Sequence, residues 1–579
     1  MRVAYPRTGH VPWSPGATAD DVRAGDLAGL VGREVVVTEK LDGENTTLYA
    51  DGLHARSVDS AHHPSRAWVK GLQGRVGAGI PAGWRICGEN MYARHSLAYD
   101  ALDSWFYGFS VWDDADRCLP WDATVRFLRR LGIPAPPVLW RGVFDERALR
   151  KLPLDTQRQE GYVVRTVDGF PRDEFGHRIA KWVRARHVQT DTHWMFADVV
   201  PNGLGPQAPL WDVRSGAEPD LPALARVCGG THEPAGRPDV ADAVARLDSL
   251  GRTGDARLAG VLAAFLHRGH RGDLARRLPA VLGMPLARRV ADLVGLQKRL
   301  RYPFPDEHRR AGLTRMAFAA DLGVLHAVAR AALDGERGPE ADEAREQVDW
   351  SALVAEDAGL LGEDPLAGLR SGVRTALADL PPDAADRCWA EARALHADGR
   401  VVGPDDAVAA TWRYRSGDFP RLIHLVGPSG SGKSRFARGI PGVDTVVGLD
   451  DLREDRGARA DQRANGDVLR HALDRLDAAL ARGGTVVWDA TSLVRPQRAA
   501  VHGVAHRRDA LVTHAVLLVD GATAAFRNGA RDHAVPAGVL DTQAHRFSPP
   551  YPGEAHRTWY IGADGTVDDT DGLSGGAED

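Results

Sequence analysis

Along residues 1–200, short apolar runs alternate with polar positions, as in REVVVTEK (33–40), WRICGEN (84–90), WFYGFSVWD (105–113) and EGYVVRTV (160–167). This period-two texture, rich in tryptophan and β-branched residues, predicts strands. A Gly- and Pro-rich stretch at 201–222 reads as a boundary. From 236 to 400, Ala, Leu and Arg recur at helical spacing, as in DARLAGVLAAFLHR (255–268), with an acidic small-residue stretch at 334–347 inside the block. From 418 onward strands alternate with helices, which predicts an α/β layer fold. The expected organisation is multidomain α+β and α/β. A mixed-β domain spans residues 1–200, a linker 201–235, a helical domain of unassigned role 236–415 and an α/β domain 416–579.

Composition narrows the class without naming a function. Apolar residues make up 43% and charged residues 26%, ordinary values for a globular chain. A net charge of −5 provides no global basic field, so nucleic-acid binding would depend on local arginine patches. The four cysteines, Cys87, Cys118, Cys228 and Cys388, have no CxxC spacing for a metal or redox pair. The N-terminus has no apolar signal core, and no run approaches the length of a membrane span. A reducing, cytoplasmic setting without membrane contact is expected. His267, His270 and His308 read as packed or solvated side chains, and His63 and His556 lack the flanking strands of a paired phosphoesterase motif.

Chemistry enters first near the C-terminal end. An apolar run, Leu422 to Val426, leads directly into Gly427-x-x-x-x-Gly432-Lys433-Ser434, with Gly430 inside the loop and a helical pattern after it. That is the strand–loop–helix context of a phosphate-binding P-loop, in which Lys433 reaches phosphate oxygens and Ser434 can ligate Mg²⁺. TVVGLDDLRED carries Asp450 at a strand end, with Arg453 three residues on, and GGTVVWDATSL carries Asp489 at another. In a parallel sheet both acids should face the P-loop. Asp450 is a candidate base for an acceptor hydroxyl, and Arg527 and Arg531, one helical turn apart, could clamp a phosphoryl group. Together these motifs resemble the phage-type polynucleotide 5′-kinase family over 418–540. The resemblance implies that Lys433 and Ser434 bind the donor, ATP or GTP, and that Asp450 is the general base. It also implies that Arg453 holds the acceptor phosphate and that Arg527 and Arg531 form a lid.

The chain has 73 basic residues but only six lysines, so a lysine kept at a strand end is notable: arginine cannot deprotonate to become a nucleophile. Lys40 opens KLDGEN. ARSVDS, ICGEN, FYGFSV, EGYVVR and IAKWVR follow in order, and the set resembles the ATP-dependent RNA ligases of the covalent nucleotidyltransferase superfamily, whose catalytic domain is ATP-grasp-like mixed β. The resemblance implies that Lys40 attacks the α-phosphorus of ATP as a neutral amine, its pKa depressed by the metal and Lys181. Asp42 and Gly43 shape the nucleotide turn, Glu89 holds the ribose, and Arg56 and Lys181 neutralise phosphate. Phe109, with Tyr107 pointing the same way, stacks on adenine. Glu160 is the metal-side carboxylate, for Mg²⁺ or Mn²⁺, and Asn45 positions the 5′-phosphate end. Ser110 and Val183 depart from the family pattern.

The two resemblances together imply an RNA end-healing and sealing enzyme. Its partners would be RNA with 5′-OH or 5′-phosphate and 3′-OH ends, with cut tRNA as a candidate substrate and a separate enzyme healing 3′ ends. The alternatives are a DNA ligase–kinase, a capping-type nucleotidyltransferase and a non-catalytic RNA-end sensor.

Overall fold

The computed structural model describes residues 2–19, 21–60, 62–185, 198–229, 240–454, 465–531 and 534–573. The chain divides into two compact units, Met1–Thr231 with Gly251–Leu258, and His232–Leu250 with Ala259–Asp579. Among the described residues, no single helix is long and apolar enough to cross a membrane.

The first unit holds strands β1 (Gly9–His10), β2 (Glu34–Lys40), β3 (Glu44–Tyr49), β4 (Gly52–Ala55), β5 (Arg85–Asn90) and β6 (Phe106–Trp112). They are followed by β7 (Arg117–Cys118), β8 (Val138–Val143), β9 (Gly161–Thr166), β10 (Phe170–Pro171) and β11 (Ile179–Val183). Two sheets result, β1-β11-β9-β2-β8 and β10-β7-β6-β5-β3-β4. β2 is buried on both faces, which explains its unbroken VVV run. Val35 and Val37 join a core with Val11, Leu30, Tyr162 and Val164, and period-two alternation turns Thr38 and Lys40 the other way. The helix Ala67–Val76 covers the second sheet through Val69 and Leu72, packed on Leu48, Ile86 and Phe106.

Of the 201–235 stretch expected as a linker, residues 230–235 lie outside the described residues, and residues 201–229 are instead folded onto this unit. The Asn202 side chain donates to the Met91 carbonyl at 2.8 Å and accepts from the Tyr99 N–H at 3.0 Å. Two short helices, Ala208–Arg214 and Leu221–Val227, follow, the second capped by Asp220 accepting from the Ala223 N–H at 3.0 Å. The prolines and polar residues that suggested flexibility serve here as helix starts and caps.

The second unit combines the helical block with a sheet of β12 (Arg421–Val426), β13 (Thr445–Gly448), β14 (Thr485–Asp489), β15 (Leu511–Leu517), β16 (Arg557–Ile561) and β17 (Val567–Thr570). The order is β13-β14-β12-β15-β16-β17, parallel except for the last pair. The helix Leu322–Leu333 is buried along nearly its whole length, as its apolar composition dictates. Helices and sheet share charged ties of low exposure. Arg288 pairs with Asp569 at 2.8 Å, and Arg557 with Asp383 at 2.7 Å and Asp386 at 3.0 Å. The helical block and the sheet therefore form one body.

Candidate active sites

In the first unit the two sheets enclose a cavity of about 600 Å³, a volume typical of small-molecule sites. β2 ends in Lys40, and Lys40 lies opposite Gly161 in the ladder, so Glu160 arrives beside it. The Glu160 carboxylate accepts from Lys40 Nζ at 2.5 Å. β11 brings Lys181 onto the same sheet, and β3, β5 and β6 bring Asn45, Glu89 and Phe109 from the other. Asp42, Gly43 and the exposed Arg56 complete the wall, so the nine residues expected to handle nucleotide, metal or RNA end between 40 and 181 line one cavity.

Each position has a local cause. Asp42 accepts from the Leu97 N–H at 2.8 Å, while its own N–H donates to Tyr99 Oη at 3.1 Å, fixing the turn after Lys40. Gly43 passes so close to β5 that an added Cβ would lie 2.6 Å from the Asn90 carbonyl oxygen. Its N–H donates to Glu89 at 3.3 Å. The buried Arg66 pairs with Glu44 and anchors β3, a contact with no signature in the sequence. Tyr99 was likewise unforeseen.

Tyr107 lies opposite Glu89, and Phe109 and Ser110 together lie against Cys87, with a register shift between Cys87 and Gly88. Tyr107 and Phe109 therefore keep to the face of Glu89 and Cys87, and this bulge brings Ser110 to that face as well. Phe109 meets Tyr5 edge-on with ring centroids 5.2 Å apart, and Tyr107 packs with Leu41, Met91 and Leu102 further along the strand. One expectation changes, and it concerns charge. Burial favours a neutral Lys40 amine, but Glu160, Glu89 and Asp42 outweigh it and hold the pKa above the ordinary lysine value. Burial pushes the Glu89 carboxyl up to about 8, and burial, then Lys40, push Lys181 down.

In the second unit β12 runs into the P-loop. Gly430 has φ +80°, and an added Cβ would lie 2.3 Å from the Ala524 carbonyl oxygen, so no larger residue fits. Gly427 and Gly432 also have positive φ, and Lys433 and Ser434 open the helix Lys433–Gly439. Lys433 Nζ donates to the Pro428 carbonyl at 2.8 Å. Its pKa is lowered to about 8, chiefly by burial and further by Arg531, while Asp489 and Asp450 oppose the fall. Asp489 ends β14, and Asp450 is the second residue of the helix Leu449–Glu454 that follows β13, accepting from Arg453 at 2.7 Å. Arg527 donates to the Ser431 carbonyl at 3.4 Å. The helix Gly521–Gly529 stops before Arg531, because the Asn528 side chain exchanges two hydrogen bonds with Val535 and turns the chain. The two arginines are thus not stacked on one helix face.

Both sites carry a donor set that suits a hard divalent cation such as Mg²⁺ or Mn²⁺: carboxylate oxygens at Lys40, and carboxylate and hydroxyl oxygens at Lys433. Among the described residues Asn45 Oδ1 is buried without a hydrogen-bond partner, an unused acceptor on a residue that lines the cavity.

A strand-end lysine in a cavity between two sheets, and a P-loop on a parallel sheet, define two nucleotide-handling domains. Residues 33–183 match the model of the RNA ligase family and residues 422–550 that of the AAA domain; the chain carries an RNA ligase domain and a P-loop kinase-like domain. No curated protein matches the chain. Similar solved structures include a mutant Naegleria gruberi RNA ligase with ATP and Mn (18% identity, 27% of this chain and 51% of that one, TM-score 0.21). An archaeal ATP-dependent RNA ligase is 13% identical over 40% of this chain and 54% of its own, with TM-score 0.22. A gluconokinase from Sinorhizobium meliloti 1021 is 23% identical over 25% of this chain and 83% of its own, with TM-score 0.19. The chain thus spans about half the length of these two ligases.

Proposed function

We propose that the chain heals and seals RNA ends, phosphorylating a 5′-OH end at the P-loop and joining the resulting 5′-phosphate to a 3′-OH at Lys40. The observation that carries this reading is the gathering of nine residues, scattered from 40 to 181, around one cavity with Lys40 at its wall.

For the ligase step, Lys40 Nζ gives up a proton and attacks the α-phosphorus of ATP, so that the bond to pyrophosphate breaks and AMP stays on nitrogen. Glu160 is placed to take that proton or to hold the metal; a divalent cation, when bound, would neutralise phosphate charge. Phe109 offers a ring for the base, Glu89 an acceptor for the ribose, and Arg56 and Lys181 positive charge for the phosphates. AMP then passes to the RNA 5′-phosphate and leaves when the 3′-OH attacks. For the kinase step, Lys433 and the P-loop hold the donor phosphates and Asp450 takes the proton of the 5′-OH. Arg453, Arg527 and Arg531 supply charge around the transferred group.

The experiment is incubation with α-labelled ATP, then peptide mapping, alongside 5′-OH and 5′-phosphate strands of RNA and of DNA. The expected result is an acid-labile, alkali-stable AMP adduct on Lys40 and joining of RNA. An adduct on Lys70 or Lys181 overturns the lysine assignment, labelling by GTP alone points to a capping-type reaction, and preferential joining of DNA removes the RNA assignment. Absence of any adduct leaves a sensor.

A further inference from the structure

A second cluster of chemistry lies between the P-loop sheet and the helix Arg495–Arg507. β12 and β15 set His424 opposite His514 in their parallel ladder, and both side chains are completely buried. The helix Arg495–Arg507 adds His502 through the same face that buries Val501, Val504 and Ala505. One ring nitrogen from each of the three lies within 4.8 Å of the others. The strands bury Leu422, Trp488 and Val512 on this side, so three imidazoles stand where apolar side chains would cost least.

Their hydrogen bonds leave them incomplete. His502 Nε2 and His514 Nε2 are 2.8 Å apart, and His424 Nε2 meets Ser492 Oγ at 2.8 Å. Nδ1 of His424 and Nδ1 of His514 are buried with no partner among the described residues. A buried nitrogen without a partner carries its desolvation cost uncompensated, and two in one cluster call for a ligand. Burial holds all three rings neutral: His424 and His514 fall well below the usual histidine range, and His502 falls to about 4. Neutral imidazole is the metal-ligating form.

We propose that His424, His502 and His514 bind one divalent transition-metal ion of the zinc type, at a structural site separate from both nucleotide sites. An all-imidazole set suits Zn²⁺, Co²⁺ or Ni²⁺ and disfavours Mg²⁺, which takes oxygen ligands. The nearest carboxylate influence, Glu554, is already held by Arg498 through hydrogen bonds of 2.6 and 3.1 Å, and this pairing also neutralises the guanidinium beside the rings. The fourth position falls to water. The site would reach the P-loop through two contacts: His424 holds Ser492, whose φ is +46°, and the neighbouring Thr491 carbonyl accepts from the Gly427 N–H at 3.0 Å. An ion on His424 would brace the loop after β14 against the first glycine of the P-loop.

The test uses the full chain, stripped with a chelator and dialysed, then titrated with Co²⁺ and afterwards with Zn²⁺. The expected result is one equivalent of Co²⁺ with the strong visible absorption of a four-coordinate site, bleached by one equivalent of Zn²⁺, and a rise in Tm with Zn²⁺. His502→Asn, on the helix and partly exposed, should keep its far-ultraviolet circular dichroism and lose both the absorption and the Tm rise. Asp489→Asn and Glu160→Gln, in the two nucleotide sites, should keep both. Failure of the wild-type chain to bind Co²⁺ or Zn²⁺ overturns the proposal, as does a four-coordinate spectrum that survives in His502→Asn.

Discussion

Lys40 Nζ and Glu160 Oε2 stand 2.5 Å apart where β2 and β9 end side by side. The carboxylate therefore opposes the state that the nucleophile needs. Burial favours a neutral amine, but Glu160, with Glu89 and Asp42 behind it, holds the proton on. Adenylylation should accordingly rise with pH as the amine deprotonates. Glu160→Gln removes the strongest charge partner, so its pH–rate profile should rise at lower pH than wild type while its maximum falls. Single-turnover labelling with α-labelled ATP from about pH 6 to 10 measures both, and a shift to higher pH contradicts this account.

Glu89 makes a stability prediction. Burial raises its carboxyl from 4.5 to about 8, so the folded chain keeps a proton that the unfolded chain releases above about 4.5. The stabilising contribution is full below that pH and is lost as pH rises through about 8. Glu89→Gln, uncharged throughout, should flatten this dependence in the unfolding transition of the first unit, read as Tm against pH.

The two activities should separate. Lys40→Ala should form no adduct and join no ends, yet still phosphorylate 5′-OH RNA. Asp450→Ala loses a proton acceptor, which costs about 10²–10⁴-fold in rate, and should seal 5′-phosphate RNA at the wild-type rate. Assays on the two substrates in parallel read the split; loss of sealing in folded Asp450→Ala contradicts the two-site reading.

Gly43→Ala tests the close approach of β2's turn to β5. A Cβ 2.6 Å from the Asn90 carbonyl oxygen and 2.7 Å from Met91 Sδ must push the turn away. Overpacking of this kind costs about 1–3 kcal/mol, and the displaced turn should reduce the adduct yield far more than it reduces kinase activity. Calorimetry and AMP labelling of the same preparation check both.

Local pattern carried much of this to the surface of the sequence. The strand texture around Lys40, the helical block and the P-loop are set by neighbours within a few residues, so period and glycine placement reveal them. What escaped depends on pairs far apart in the chain. The Arg66–Glu44 pair, Tyr99 under Asp42 and the histidines at 424, 502 and 514 share no spacing that a linear reading could detect. The stretch at 201–229 misled for another reason: proline, glycine and aspartate begin and cap helices as readily as they loosen a chain. The sign of the Lys40 shift also escaped, since it depends on carboxylates brought in from positions 89 and 160.

The bulge at Phe109 has a consequence for how this strand can vary through mutation. The alternation breaks between Phe109 and Ser110, because both lie against Cys87. Phe109 and Trp112, three residues apart, therefore share one cluster with Cys87. At the same length and without the bulge, the ladder would still set position 109 opposite Cys87 but would turn Trp112 to the opposite face. The extra residue thus fixes where Trp112 points, and a deletion beyond Phe109 would leave the ring on the cavity side.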